Sequence, residues 1–173
     1  MDDADTRGRQ ATTYTPGELA AYRDLTQKSC NTPKLLGYKT GTQKRSGLVP
    51  GGFIIWLAWE IVPGLRLGDS FGAKPFWALK SDEREQIRAV FAKALLKLRE
   101  NGWYPWVTRA RNLVWHRETQ TLYFIGHFSK AGKPKRPVEV RPKLIAMFEL
   151  AKPDSPDFMR KDDQDQNTSL WEW

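Results

Sequence analysis

Apolar positions recur at helical spacing in two stretches of the chain and at strand-like density in four. In YTPGELAAYRDL, Leu19, Tyr22 and Leu25 share one helical face, with Thr15 available as a cap and Pro16 at the first turn. This pattern predicts a helix over 16–28. TPKLLGY, bounded by Pro33 and Gly37, reads as a brief strand, and TGTQKRSGLVPGG as a loop. FIIWLAWEIV is rich in aromatic and β-branched residues and ends at Pro63-Gly64, the pattern of a buried central strand followed by a turn. Its one charge, Glu60, stands at an emerging strand end or in a cleft. The clearest helix is SDEREQIRAVFAKALLKLRENG, where Ile87, Val90, Phe91, Ala94, Leu95 and Leu98 form one apolar face. Asp82 and Glu85 match a capping box, Gly102 suits a stop, and Lys and Arg cover the opposite, solvated face. RNLVWH and QTLYFIGHF read as two short strands joined by RETQ, a hairpin whose apolar positions face the helix. Helices on one side of short antiparallel strands define an α+β domain.

A chain of 173 residues with 40% apolar content, eight Trp and eight Phe closes one core. The expected organisation is a disordered segment over 1–14, one domain over 15–150 and an acidic tail over 151–173, whose Leu170, Trp171 and Trp173 are apolar enough to dock. That tail carries three basic and six acidic groups, so the net +8 of the whole chain leaves +11 on the rest. The excess concentrates in Lys130, Lys133, Lys135, Arg136, Arg141 and Lys143, opposed there by Glu139 alone. Such a segment reads as a solvated loop or as a polyanion-binding strip along RNA or an acidic protein. The single cysteine, Cys30, excludes an internal disulfide and reads as a small buried hydrophobe. No secretory signal is apparent in the first thirty residues, and the apolar run Phe53 to Val62 is too short to cross a bilayer. The expected location is therefore cytoplasmic, without membrane partners.

Four segments, in order, resemble the short fungal protein-kinase-like domains of the choline-kinase and lipopolysaccharide-kinase type. ELAAYRDL with TPKLLGY resembles the family's helix C and the strand after it, with Glu18 at the position of the glutamate that pairs the ATP-contacting lysine. WLAWEIVPGLRLG resembles the strand and hinge that cradle adenine, and DEREQIRAVFAKALLKLRENGWY the long helix before the catalytic loop. RNLVWHRETQTLYFIGHF resembles the hairpin after that loop, so the likeness covers about residues 16–131. It implies a partial kinase-like fold, truncated and degenerate. Under it Pro105, Trp106 and Val107 occupy the HGD positions, leaving valine where the catalytic aspartate would stand. Asn112 matches the metal-holding loop asparagine, Arg109 a phosphate-contacting position, and Arg111 the arginine common before that asparagine. The second metal aspartate falls on Gly126 or on His127-Phe128, and no glycine-rich phosphate loop precedes Glu18. Phosphoryl transfer needs Mg²⁺, charge clamps and an acceptor base together, so kinase activity is not expected.

The first functional reading is a pseudokinase-like interaction or regulatory module, which self-associates or takes a protein partner through aromatic residues left in water. A second keeps the cleft for a cofactor-independent isomerase, cyclase or dehydratase. It would use His127, His116 and Glu60 as proton-transfer groups, and Arg109, Arg111 and Asn112 to hold a small anionic or apolar metabolite. The bland reading of the histidines is a solvent-exposed turn for His116 and a structural role for His127. The third reading is RNA or polyanion binding by the basic strip. Two histidines without Asp, Glu or Cys at ligand spacing give no zinc signature, and no G-x-S-x-G elbow is present, so neither metal nor cofactor is expected.

Overall fold

A computed structural model describes Thr6 and residues 17–28, 30–134, 139–162 and 167–173. Apart from Thr6, the segment 1–14 lies outside the described residues, as do Thr15, Pro16, Lys135 and Arg136. The fold is mixed α+β, with three small antiparallel sheets packed against helices. In chain order it runs α1 (Gly17–Gln27), β1 (Leu35–Thr42), β2 (Phe53–Trp59), β3 (Leu65–Arg66), α2 (Lys74–Trp77), α3 (Ser81–Glu100) and β4 (Trp103–Pro105). It continues through β5 (Leu113–His116), β6 (Thr121–Phe124), β7 (Phe128–Lys130) and α4 (Pro142–Met147). The sheets are β1-β2, β3-β5-β6 and β4-β7.

The long helix α3 sets the centre because Ile87, Phe91, Ala94, Leu95 and Leu98 return to one face every three or four residues and are all buried. Each such side chain contributes roughly 1.5–3 kcal/mol when fully removed from water, Ala94 less. Phe91 meets Phe124 of β6 at 5.7 Å and Phe148, just past α4, at 4.8 Å between ring centroids. The β5-β6 hairpin forms where expected, from Leu113↔Phe124 to His116↔Thr121. Gly102, at φ +83°, follows the cap residue Asn101 and ends α3 as the sequence indicates.

The other end of α3 corrects the capping-box reading. Lys80 is the N-cap and makes no side-chain cap bond, so Asp82 lies within the first turn and Glu85 bonds Arg88. Glu83 does the tying instead, accepting from Trp115 Nε1 at 3.0 Å and from the fork of Arg117 at 2.8 and 2.7 Å. That fork holds the Glu83 carboxyl below the usual carboxylate range. Arg88 also departs from the expected solvated face. It is 5% exposed, and its guanidinium reaches the Leu150 carbonyl as well as Glu85. A buried guanidinium is tolerable only when its donors are matched in this way.

FIIWLAWEIV does not form a buried central strand. Among the described residues β2 pairs with β1 alone, and Trp56 and Trp59 remain 50% and 41% exposed. β1 in turn runs through Thr40-Gly41-Thr42, which the sequence assigned to a loop. Apolar density marks a strand but does not say how many neighbours it will have. Across this ribbon Trp56 covers Gly41, where any Cβ would lie 3.1 Å from the indole, and Lys39 Nζ sits 5.4 Å from the ring.

Helix α1 joins the ribbon to the main core through buried Leu19, Ala21, Tyr22 and Leu25. Tyr22 stacks on Trp59 at 5.2 Å and meets the edge of Phe128 at 5.6 Å. Its hydroxyl donates to the Gly126 carbonyl at 2.9 Å and accepts from the Gly126 amide at 3.3 Å. At the C-terminus Trp171 is buried against Ala146 and Ala151, and Lys152 bridges to Glu172, while Leu170 stays exposed.

Burial pushes the Tyr22 phenol up to about 12 from an ordinary 10. The proton-linked stability is complete below pH 10 and drains as pH rises toward 12. Tyr22→Phe should cost about 1–3 kcal/mol at neutral pH, because both Gly126 groups lose a partner. Urea unfolding should show the gap between wild type and variant narrowing above pH 10. A gap constant across that range would mean that the phenol is not held as described.

Candidate functional site

Four short pieces of chain converge at the α2 end of the molecule and enclose a cleft of about 920 Å³. They are α2 with Ala73, the loop 106–109, the segment from Ala146 to Pro153, and a 3-10 turn at Pro156–Met159. A smaller recess of about 330 Å³ adjoins it, lined by Asp69, Ser70, Phe71, Gly72 and Arg111. Arg109 and Glu149 belong to both linings and form a 2.8 Å ion pair where the two spaces meet.

The loop that carries Arg109 is closed on itself. Asn112 Nδ2 donates to the Val107 carbonyl at 3.1 Å, the Asn112 amide donates to the Arg109 carbonyl, and the Ile125 amide donates to the Asn112 carbonyl. Gly68 supports it from behind, because a Cβ there would stand 2.6 Å from the Arg111 amide nitrogen. The neighbouring turn is set by Asp69, whose Oδ1 accepts from the Phe71 amide at 2.7 Å and leaves the Phe71 ring 97% exposed at the rim.

Glu149 is the unusual residue. It follows the cap of α4 with its amide on the Ala146 carbonyl, and the next amide, Leu150, reaches the Ile145 carbonyl. This is a Schellman ending whose left-handed position is normally glycine, and here a glutamate holds φ +63°. The conformation costs a non-glycine residue roughly 1–2 kcal/mol. The carboxylate offsets that strain by accepting from Arg109 Nη1 and from the Ala110 amide at 3.1 Å, while the Glu149 carbonyl accepts from Trp77 Nε1 at 3.2 Å. One residue therefore joins α2, α4 and the loop before β5.

Of the residues singled out from the sequence, Arg109 and Arg111 line these spaces, and Asn112 fixes the loop rather than facing them. His127, His116 and Glu60 line neither. His127 Nδ1 pairs Glu18 Oε2 at 3.2 Å, occupying the glutamate that the kinase resemblance would give to a lysine. His116 Nδ1 lies 2.7 Å from Thr119 Oγ1 in the hairpin turn, and Glu60 accepts from the Lys34 amide at the end of the ribbon. Each is held by its own neighbours, so the three are not assembled into one acid-base site. In the basic strip Lys130 and Lys133 are exposed, Arg141 lies 3.9 Å from Glu139, and Lys143 donates to the Lys161 carbonyl. Lys135 and Arg136 fall outside the described residues. Cys30 is buried, and burial pushes its thiol up. Among the described residues no group of three or more His, Cys, Asp or Glu could hold a metal ion, and no helix is long and apolar enough to cross a membrane.

Glu149, Lys74, Trp77 and Lys152 were missed because α4 and α2 are six and four residues long, too short for a periodic signal. The chain matches no family model, no curated protein and no solved structure.

Substitutions at Glu149 separate strain from pairing. Glu149→Gly loses the ion pair but relaxes φ, whereas Glu149→Ala loses the pair and keeps the strain. Glu149→Ala should therefore be less stable than Glu149→Gly by about 1 kcal/mol in urea unfolding. The reverse order would remove the strain from the account.

Proposed function

We propose that this protein is a non-phosphotransferase interaction or regulatory module that docks an acidic protein partner on the β1-β2 ribbon. The observation that carries the reading is the ribbon's surface. Trp56 is 50% exposed on one face beside Lys39, Tyr38 and Trp59 are partly exposed on the other face beside Arg23 and Tyr22 of α1, Leu48 is 97% exposed in the connecting loop, and neither outer edge pairs with another strand among the described residues. Exposed aromatic residues of this density mark association surfaces, and a free edge can accept a further strand. The ribbon also carries Lys34, Lys39, Lys44 and Arg45, all exposed, against Glu60 at its end. Two copies meeting ribbon to ribbon would oppose four like charges with four, which favours an acidic partner over self-association.

We read the module as kinase-derived on the order of its sequence segments. Val107 at the catalytic-aspartate position and the Glu18–His127 pair both support a fold no longer used for phosphoryl transfer.

A variant carrying Lys39→Glu, Lys44→Glu and Trp56→Ala separates this reading from others. Purified wild-type protein should be monomeric by native mass spectrometry at micromolar concentration. A protein retained from cell extract should be acidic, rebind in purified form with an affinity that falls as salt rises, and be lost with the variant. Retention unaffected by the variant would sink the proposal. A Trp56-dependent homodimer, or recovery of RNA in place of protein, would replace the partner class.

A further inference from the structure

The cleft beside α2 has a composition that specifies a ligand independently of the ribbon. Its walls hold three cations, Lys74, Arg109 and Lys152, against one carboxylate, Glu149. Glu149 is already satisfied by Arg109 Nη1 and the Ala110 amide, and Lys152 Nζ is 2.8 Å from Glu172 Oε2. Lys74 has no ion-pair or hydrogen-bond partner for its ammonium among the described residues, and Arg109 keeps its Nη2 and Nε donors free there. A neutral ligand would leave this excess unanswered, and a cationic one would be repelled by it.

Apart from Thr108 the remaining lining is apolar, including Trp106, Val107, Met147, Phe158 and Met159. Of the three rings in this lining, Trp77 and Phe158 are engaged by neighbours and Trp106 is 72% exposed. The ring of Trp77, the natural stacking platform, is covered by Lys152 Nζ at 4.0 Å and by the Arg84 guanidinium at 4.7 Å. Phe158 is engaged edge-on with Trp171 at 5.9 Å. The chain has three methionines, and the two beyond Met1 both stand in this wall. Unbranched thioether side chains adapt to a flexible apolar ligand rather than selecting a rigid one. About 920 Å³ lies within the range of small-molecule sites, roughly 300–1,000 Å³.

We propose that this cleft binds one acyl-chain carboxylate, its head group matched to Lys74 and Arg109 and its tail lying along Met147, Phe158 and Met159. Strain at Glu149 serves this site by holding Arg109 at the junction of the two spaces.

Isothermal titration with dodecanoate, dodecanol and dodecyltrimethylammonium, each as free monomer, tests the assignment. Dodecanoate should bind saturably and one to one, and the other two at least about tenfold more weakly, the worth of one charge-assisted contact. Lys74→Glu and Arg109→Leu should each weaken dodecanoate by about tenfold and leave dodecanol unchanged. Met159→Trp, which fills the tail region from a half-exposed position, should weaken dodecanoate and dodecanol alike. Absence of saturable dodecanoate binding, equal binding of all three compounds, or indifference to both charge variants would overturn the proposal. The ribbon variant should bind dodecanoate as wild type does, so failure of one reading leaves the other standing.

Discussion

The contact among Phe91, Phe124 and Phe148 is the constraint from which the rest of the structure takes its position. It joins the middle of α3, the end of β6 and the turn after α4, with centroid separations of 4.8, 5.7 and 5.9 Å. Once these rings interlock, the β5-β6 hairpin lies across α3, and β3 aligns on β5. The residue after Phe148 is Glu149, so the same packing that fills the core delivers a carboxylate to the Arg109 loop. Core and cleft are thus consecutive residues of one chain segment, and a change of volume at Phe148 would be felt at the ion pair.

What the sequence made legible was the part governed by local periodicity. The apolar stripe of α3, the stop at Gly102, the α1 stripe and the β5-β6 hairpin each follow from spacings within about twenty residues, and each is present. What escaped depended on partners far along the chain. FIIWLAWEIV has the composition of a central strand, but among the described residues no third strand flanks it. Arg88 reads as a surface residue until Leu150 supplies a carbonyl for it. The capping box failed because α3 begins at Ser81 with Lys80 as its cap, which puts Asp82 inside the first turn, while Glu83 is held by Trp115 and Arg117 from the hairpin. The cleft was the least legible feature, since its walls come from a four-residue helix, a loop and a short turn. Of its lining, Trp106, Val107 and Arg109 were named in advance, and they were named through the kinase resemblance rather than through any pattern of their own.

The two surfaces divide the exposed aromatic residues between them in different ways. On the ribbon, Trp56 is half-exposed beside Lys39 on one face and Tyr38 is half-exposed beside Arg23 on the other. At the cleft, Trp77 is half-buried and already covered by cations, so it serves as a rigid wall. Helix α1 lies between the ribbon and the body, with Tyr22 stacked on Trp59 on one side and bonded to Gly126 on the other. Tyr22 is thus one of several ties between ribbon and body, beside the Leu35 amide on Thr26 and Arg23 over Tyr38.

That same tyrosine gives the molecule a timing problem during its synthesis. Tyr22 and Gly126 are 104 residues apart, and translation adds roughly 5–20 residues per second. The helix bearing Leu19, Tyr22 and Leu25 thus leaves the ribosome about 5–20 seconds before its docking site exists. Through that interval its apolar stripe and the aromatic ribbon behind it have only each other for cover. The Gly126 contact of Tyr22 is thus missing while α3 is being made and becomes available only as β7 emerges.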